Sequence, residues 1–159
     1  NQSLDYTSYQ YQKAILHRAF SVFILNERGE LMLQQRAHDK YHSPSLWTNT
    51  CCSHQREGEG NVEAGKRRLE EEMGFTTDLT ELFHFIYQAP FENGLTEHEL
   101  DHVLLGYYQG PPKINNLEVA DWKWMNIKKI SESIKINPQE YTVWFKIVFD
   151  QFIKKINLL

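Results

Sequence analysis

Cys52 and His54 stand two residues apart in the stretch Trp47-Thr48-Asn49-Thr50-Cys51-Cys52-Ser53-His54. In an extended segment that spacing sends both side chains to one face, with Cys51 and Ser53 on the other. A thiol able to give or take a proton then sits beside a potential metal ligand. The spacing recurs with carboxylates in Glu97-His98-Glu99. If the two segments meet, they could make a metal centre with a proton donor on one side and an acceptor on the other. Three more carboxylates crowd into Glu70-Glu71-Glu72, after Arg67 and Arg68 and before Gly74. A solvated acidic face is the ordinary explanation of such a run. The glycine stop and the fixed spacing from Glu59 point beyond it.

The elements that must position these groups follow from pattern. Residues 20–25 are an apolar run closed by Asn26-Glu27-Arg28-Gly29 and followed by residues 30–35, which reads as a hairpin. The polar, Pro44-containing residues 39–45 form a loop into an extended 46–52. After Gly58-Glu59-Gly60, Asn61 is expected to cap a helix of about thirteen residues, with Val62, Leu69 and Met73 on one face and Gly74 as its stop. Residues 82–87 and 100–108 read as antiparallel strands around a loop containing Pro90, Asn93 and Gly94, and 118–125 as a further strand. From Ile127 the pattern turns helical. Tyr141, Phe145, Val148, Phe149, Phe152 and Ile156 make the apolar stripe of a last helix with Pro138 near its start. This order predicts an α/β (α+β) fold, a mixed β-sheet sandwiched between helices.

At 159 residues, one domain spanning 1–159 is expected. The composition, 41% hydrophobic and 13% aromatic, argues for a packed core. No apolar run approaches the roughly 20 residues that span a bilayer, so no membrane partner is expected. A net charge of −4 gives no support for nucleic-acid binding. If the ligand is an anionic small molecule, its cations must be local, and Arg36, Lys40, Lys66, Arg67 and Arg68 are the candidates. Cys51 and Cys52 are adjacent, where an ordinary disulfide is disfavoured, so both are expected as free thiols. Residues 1–12 lack the basic start and apolar core of a secretory signal, which makes the cytoplasm the expected compartment. A monomer is expected, with a dimer open.

The segment from Ser53 to Phe75 resembles the Nudix box, G-x5-E-x7-R-E-U-x-E-E-x-G-U, where U is apolar. Glu59, Arg67, Leu69, Glu71, Glu72, Gly74 and Phe75 fall on it. Ser53 replaces the first glycine, and Arg68 stands where the box has the glutamate after its arginine. Nudix hydrolases use their glutamates to hold divalent ions on a diphosphate and to activate water. A cation in place of one glutamate weakens metal binding and adds a phosphate contact, which favours binding a diphosphate over cutting it.

Taken with Leu16-His17-Arg18-Ala19-Phe20-Ser21, Gln35-Arg36, Trp47 to His54, Thr96-Glu97-His98-Glu99 and Tyr141-Thr142-Val143-Trp144, the chain is similar to the type I isopentenyl diphosphate isomerases, a Nudix-fold family that moves a double bond. The similarity runs from about Ile15 to Lys154. It implies that Cys52 and Glu99 are a proton-transfer pair on opposite faces of the substrate, and that Tyr87 and Trp144 line the pocket around a tertiary carbocation. It implies that His17, His54, Glu97 and Glu99 hold a tightly bound divalent metal, Mn2+ or Zn2+ with Fe2+ as a third option. A Mg2+ ion held partly by Glu72 would meet the substrate diphosphate, with Arg36, Lys40 and Arg68 as phosphate contacts. His38, His42, His84, His98 and His102 stay off the ligand list.

The family carries a third metal histidine and a lysine upstream of His17, where this chain has Gln10, Tyr11 and only Lys13. Either this end has diverged, leaving an open metal position, or native residues lie outside the chain. Two other functions stay open: a Nudix pyrophosphohydrolase, which Arg68, Cys52 and the Glu97/Glu99 pair speak against, and a catalytically impaired, metal-stabilised member, which the missing histidine allows.

Overall fold

The computed structural model describes residues 16–90 and 96–157. The region of the upstream histidine and lysine lies outside these residues. Along the described chain run β1 (His17–Leu25), β2 (Glu30–Arg36), β3 (Trp47–Thr48), β4 (Cys51–Ser53), α1 (Asn61–Met73), β5 (Leu79–Pro90), β6 (Thr96–Tyr107), β7 (Val119–Asn126), α2 (Ile127–Ile136), a 3-10 turn (Pro138–Glu140) and α3 (Val143–Ile156).

The strands form one mixed sheet in which β3-β2-β1-β6-β5 is the main path, β4 pairs with β1 and β7 with β2. The expected hairpin exists but opens almost at once. β1 and β2 pair at Leu25↔Leu31 and then part, β1 taking β4 and β2 taking β3. Three short polar residues fill the fork, all buried: Thr48, Asn49 and Thr50. Thr50 Oγ1 accepts the Ile24 N–H at 3.0 Å and donates to the Met32 carbonyl at 2.6 Å, so it joins β1 to β2. Asn49 donates to the Val22 and Cys51 carbonyls at 3.0 and 2.8 Å. Backbone groups that a regular ladder would have paired are thus satisfied by side chains.

The sheet is a buried layer, with an apolar core on each face. Leu69 and Met73 of α1 pack on Phe20, Val22, Ile24 and Leu104. Phe145, Val148, Phe149 and Phe152 of α3, with Ile130 of α2, pack on Phe23, Leu25, Val103 and Leu105. Cys51 belongs to the α1-side core and is fully buried, as its place in the strand predicts.

Three boundary expectations are corrected. The residue capping α1 is Gly60, with no side-chain cap; Asn61 is the first helical residue, and its amide donates to Glu81 Oε1 at 2.8 Å instead. Pro138 lies in a separate 3-10 turn, and α3 begins at Val143 with Thr142 as its cap, accepting from the Phe145 N–H. The strand placed at 100–108 starts at Thr96, so Glu97 and Glu99 are ladder residues.

Gly74 ends α1 in the left-handed conformation, at φ 72°, and a Cβ there would collide with the Lys113 backbone. G74A is expected to cost at least about 2 kcal/mol, from the left-handed penalty plus the clash, lowering Tm by roughly 4–8 °C. Urea and thermal unfolding measure this.

Candidate active site

Strand pairing brings the distant motifs into one row. β1 and β6 run parallel, with His17 opposite Glu99, while β5 and β6 run antiparallel, with Tyr87 opposite Glu99. Directly paired residues share a face. On the other side of β1, Cys52 of β4 lies opposite Ser21, which is on the same face as His17. His54 continues that side two residues on. Tyr87, Glu97, Glu99, Cys52 and His54 accordingly line one cavity of about 200 Å3, which Trp144 of α3 closes from above the sheet.

At one end the imidazoles and carboxylates converge. His17 Nε2 lies 2.8 Å and His54 Nε2 2.9 Å from Glu99 Oε1; the two nitrogens are 3.2 Å apart, and Glu97 Oε2 is 3.6 Å from His17 Nε2. Burial works against the Glu99 charge, but hydrogen bonds to His17 and His54 hold its carboxyl well below the usual range. Burial, reinforced by Glu99, pushes Glu97 up. Glu97 Oε2 and Glu99 Oε2 are buried without hydrogen-bond partners, an expensive arrangement for carboxylates. Their ligand atoms and those of the two histidines all lie within 4.8 Å of one another. Two carboxylates, each with one orphaned oxygen, gathered with two imidazoles whose ligand atoms lie within 4.8 Å fit a divalent cation.

At the middle of the cavity the Trp144 indole N–H donates to Cys52 Sγ at 3.0 Å. Burial is the main reason the thiol is pushed up to about 12; Arg36 opposes the shift, while Glu72 and Asp101 add to it. Burial also raises the Tyr87 phenol, helped by Asp101, Glu99 and Glu97. The Arg36 guanidinium lies over the Trp144 ring, 5.1 Å from its centre, and donates to the Ser43 and His42 carbonyls at 3.2 Å each. A loop bent through positive φ at Ser43 and Ser45 presents those carbonyls.

The far end is cationic and fed from the opposite layer. Where β1 and β2 diverge, Arg68 and Glu72 of α1 reach the cavity that Cys52 lines. Arg68 binds Glu71 at 2.7 Å and Glu72 at 3.2 Å, and lies 3.7 Å from Glu118. Lys40 pairs with Glu118. Glu72 is buried and also accepts from Gln34 at 3.2 Å; burial raises its carboxyl against the pull of Arg68. Arg67, by contrast, serves the box itself, donating to both oxygens of Glu59 at 2.8 and 2.9 Å.

These bonds from Arg67, with one from the Arg56 N–H, bring Glu59 down to about 2. A carboxyl of about 4.3 when unfolded therefore gives stability that is present above that pH and fades as pH falls through about 2. E59Q is expected to lower Tm at pH 7, with an effect that shrinks steadily as pH falls from about 4 through about 2. Thermal scans across that range check the sign.

All eleven site residues named from sequence lie in or against this cavity, His17 reaching it through Glu99. Residues that sequence reasoning left out are here too. His42 lines the cavity and meets Trp144 edge-on at 5.9 Å between ring centres. Glu118 lines its cationic end. Asp101, two residues from Glu99 on the same face of β6, accepts from Ser21 Oγ at 2.8 Å, and burial pushes it up to about 7. Only the i, i+2 continuation of Glu97 and Glu99 hinted at Asp101; His42 and Glu118 sit on loops with no periodic signal.

The fold, with a glutamate-bearing helix on one face of the sheet and a metal-suited cluster on the other, defines a class. The NUDIX domain family matches residues 15–145. Solved structures with the same fold include DR0079 from Deinococcus radiodurans, 18% identical with a TM-score of 0.72 over 85% of this chain and 82% of that one. A MutT protein from Methanosarcina mazei is 21% identical, with a TM-score of 0.71 over 89% and 96%. At higher identity stand two proteins named isopentenyl-diphosphate Delta-isomerase. The one from Serratia proteamaculans is 47% identical over 85% of this chain and 75% of its own. The one from Photorhabdus laumondii, designated 2, is 49% identical over 88% and 79%. Within the Nudix class, the chain belongs to the isopentenyl-diphosphate Delta-isomerase family.

Proposed function

We propose that this chain interconverts isopentenyl and dimethylallyl diphosphate as a step of isoprenoid biosynthesis, with Cys52 and Glu99 as the proton-transfer pair. The observation that carries the assignment of roles is that a thiol and a carboxylate from strands on either side of β1 line one cavity under an indole. One group adds a proton to the terminal alkene carbon, leaving a tertiary cation at the branched carbon. The other takes a proton from the neighbouring methylene, whose C–H electron pair forms the new double bond. Each group is an acid in one direction of the reaction and a base in the other.

Trp144 and Tyr87 offer π-electron density to the cation and help exclude water, which would otherwise capture it. His17, His54, Glu97 and Glu99 would hold the tightly bound ion. Mixed imidazole and carboxylate ligation suits Zn2+, Mn2+ or Fe2+ better than Ca2+. When bound, that ion supplies fixed positive charge that orients Glu99 and lowers its proton affinity. Glu72 would share a Mg2+ with the diphosphate, and Arg36, Lys40 and Arg68 would bind its oxygens. Among the described residues no helix is long and apolar enough to cross a membrane.

Hydrolysis is the weaker reading, because Arg68 stands at a box glutamate position and is bound to Glu71 and Glu72. One experiment separates the two: isopentenyl diphosphate, Mg2+ and protein in D2O, followed by NMR. Deuterated dimethylallyl diphosphate is expected; release of phosphate with no allylic product would overturn the proposal. R68E is expected to raise KM at least about tenfold, since it removes a phosphate cation and adds a like charge, with a smaller change in kcat. An unchanged KM would remove Arg68 from the phosphate site.

A further inference from the structure

We propose that Glu81, His84 and His102 form a second divalent-metal site, of zinc type, on the sheet face opposite the first. His84 and His102 are directly opposite one another on β5 and β6, with ring centres 5.5 Å apart. His102 also pairs with Phe20, which places it on the α1 side of the sheet. Glu81 is three residues from His84, and in a regular strand such residues face opposite ways. Here the register shifts between Glu81 and Phe83, so Glu81 pairs with Leu104 while His84 pairs with His102. The bulge adds one residue at Leu82 and turns the Glu81 side chain onto the histidines' face, the kind of re-aiming that bulges perform beside functional sites.

The result is compact. His102 Nδ1 lies 3.0 Å from Glu81 Oε1, and one ligand atom from each of the three residues falls within 4.8 Å of the others. Tetrahedral zinc with bonds near 2.0–2.1 Å needs ligand atoms about 3.3 Å apart, which modest side-chain movement provides. The carboxylate is held from outside the cluster as well. Asn61, on the first turn of α1, donates to Glu81 Oε1 at 2.8 Å and accepts from Gln55 at 2.8 Å; Gln55 also donates to the Ala19 carbonyl at 3.2 Å. Such outer partners fix a ligating oxygen's position. Two imidazoles and one carboxylate select Zn2+, Co2+ or Ni2+ over Mg2+ or Ca2+, and leave a fourth position for water. An ion there would tie the bulged edge strand to β6, whose far end carries Glu97 and Glu99.

The test is the zinc stoichiometry of untagged, chelator-stripped protein in competition with a chromophoric chelator. Wild type is expected to take up two equivalents, H84A one, H54A one and H54A/H84A none. H84A should keep full isomerase activity and the native circular dichroism spectrum, and its second equivalent should weaken by more than the roughly hundredfold that loss of an outer partner can cost. His84 is exposed, so its replacement leaves the core intact. H102A provides the same comparison from β6. If H84A and H102A bind as much zinc as wild type and as tightly, the second site does not exist.

Discussion

Replacing Cys52 by alanine is expected to lower kcat about 10^3-fold or more, within the range that loss of a positioned acid or base costs, while the fold and diphosphate binding survive. The variant is informative because Cys52 touches neither end of the cavity's charge. Its sulfur receives the Trp144 N–H, and the metal-suited cluster is built from other residues. The cations proposed for the diphosphate, Arg36, Lys40 and Arg68, stay in place. Binding of an unreactive diphosphate should therefore be nearly unchanged in C52A, and Tm should fall only slightly. E99Q should be equally inactive, with a different signature, since it also replaces the carboxylate charge on which both imidazoles converge by a neutral amide and so weakens metal affinity. Turnover at the wild-type rate by either variant would sink the assignment of the proton-transfer pair.

Stripping the divalent metal proposed at His17, His54, Glu97 and Glu99 is expected to abolish isomerisation and to lower Tm as well, with Zn2+ or Mn2+ restoring both and Mg2+ alone restoring neither. The double effect follows from the cluster's unmet demand. Glu97 and Glu99 each bury an oxygen without a partner, and Glu97 resists ionising beside Glu99. A cation at the focus satisfies both oxygens and relieves their repulsion. At free metal about 100-fold above Kd, linkage gives about 2.7 kcal/mol, which for a chain of this size is roughly 5–10 °C in Tm. In H54A the metal-dependent shift should shrink strongly. Equal Tm and activity before and after chelation would remove the metal from the reading.

What was legible in sequence was local periodicity. Period two put Cys52 and His54 on one face and Cys51 on the other, and the core confirms Cys51 as packing. A glycine in left-handed conformation ended α1 where its stop was expected. The parallel pairing of His17 with Glu99 could not be read this way, because an apolar run says that a strand is buried without saying which strand lies beside it. Side chains claimed by distant partners were misread for the same reason. Asn61 looked like a cap, yet its amide is engaged by Glu81, twenty residues on. Glu118 looked like the start of a strand, yet it faces Lys40 and Arg68 across the cavity.

The fork between β1 and β2 has a consequence for how such a cavity could change size. Thr50 reaches both strands with one hydroxyl, accepting from Ile24 and donating to Met32. At that point the two strands are held one hydroxyl oxygen apart, by two hydrogen-bond lengths, with Asn49 tying the fork to β1 beside it. Relatives that accommodate larger ligands through this opening would have to re-span two backbones with a longer polar side chain, whereas trimming an aromatic would only deepen the cavity behind it.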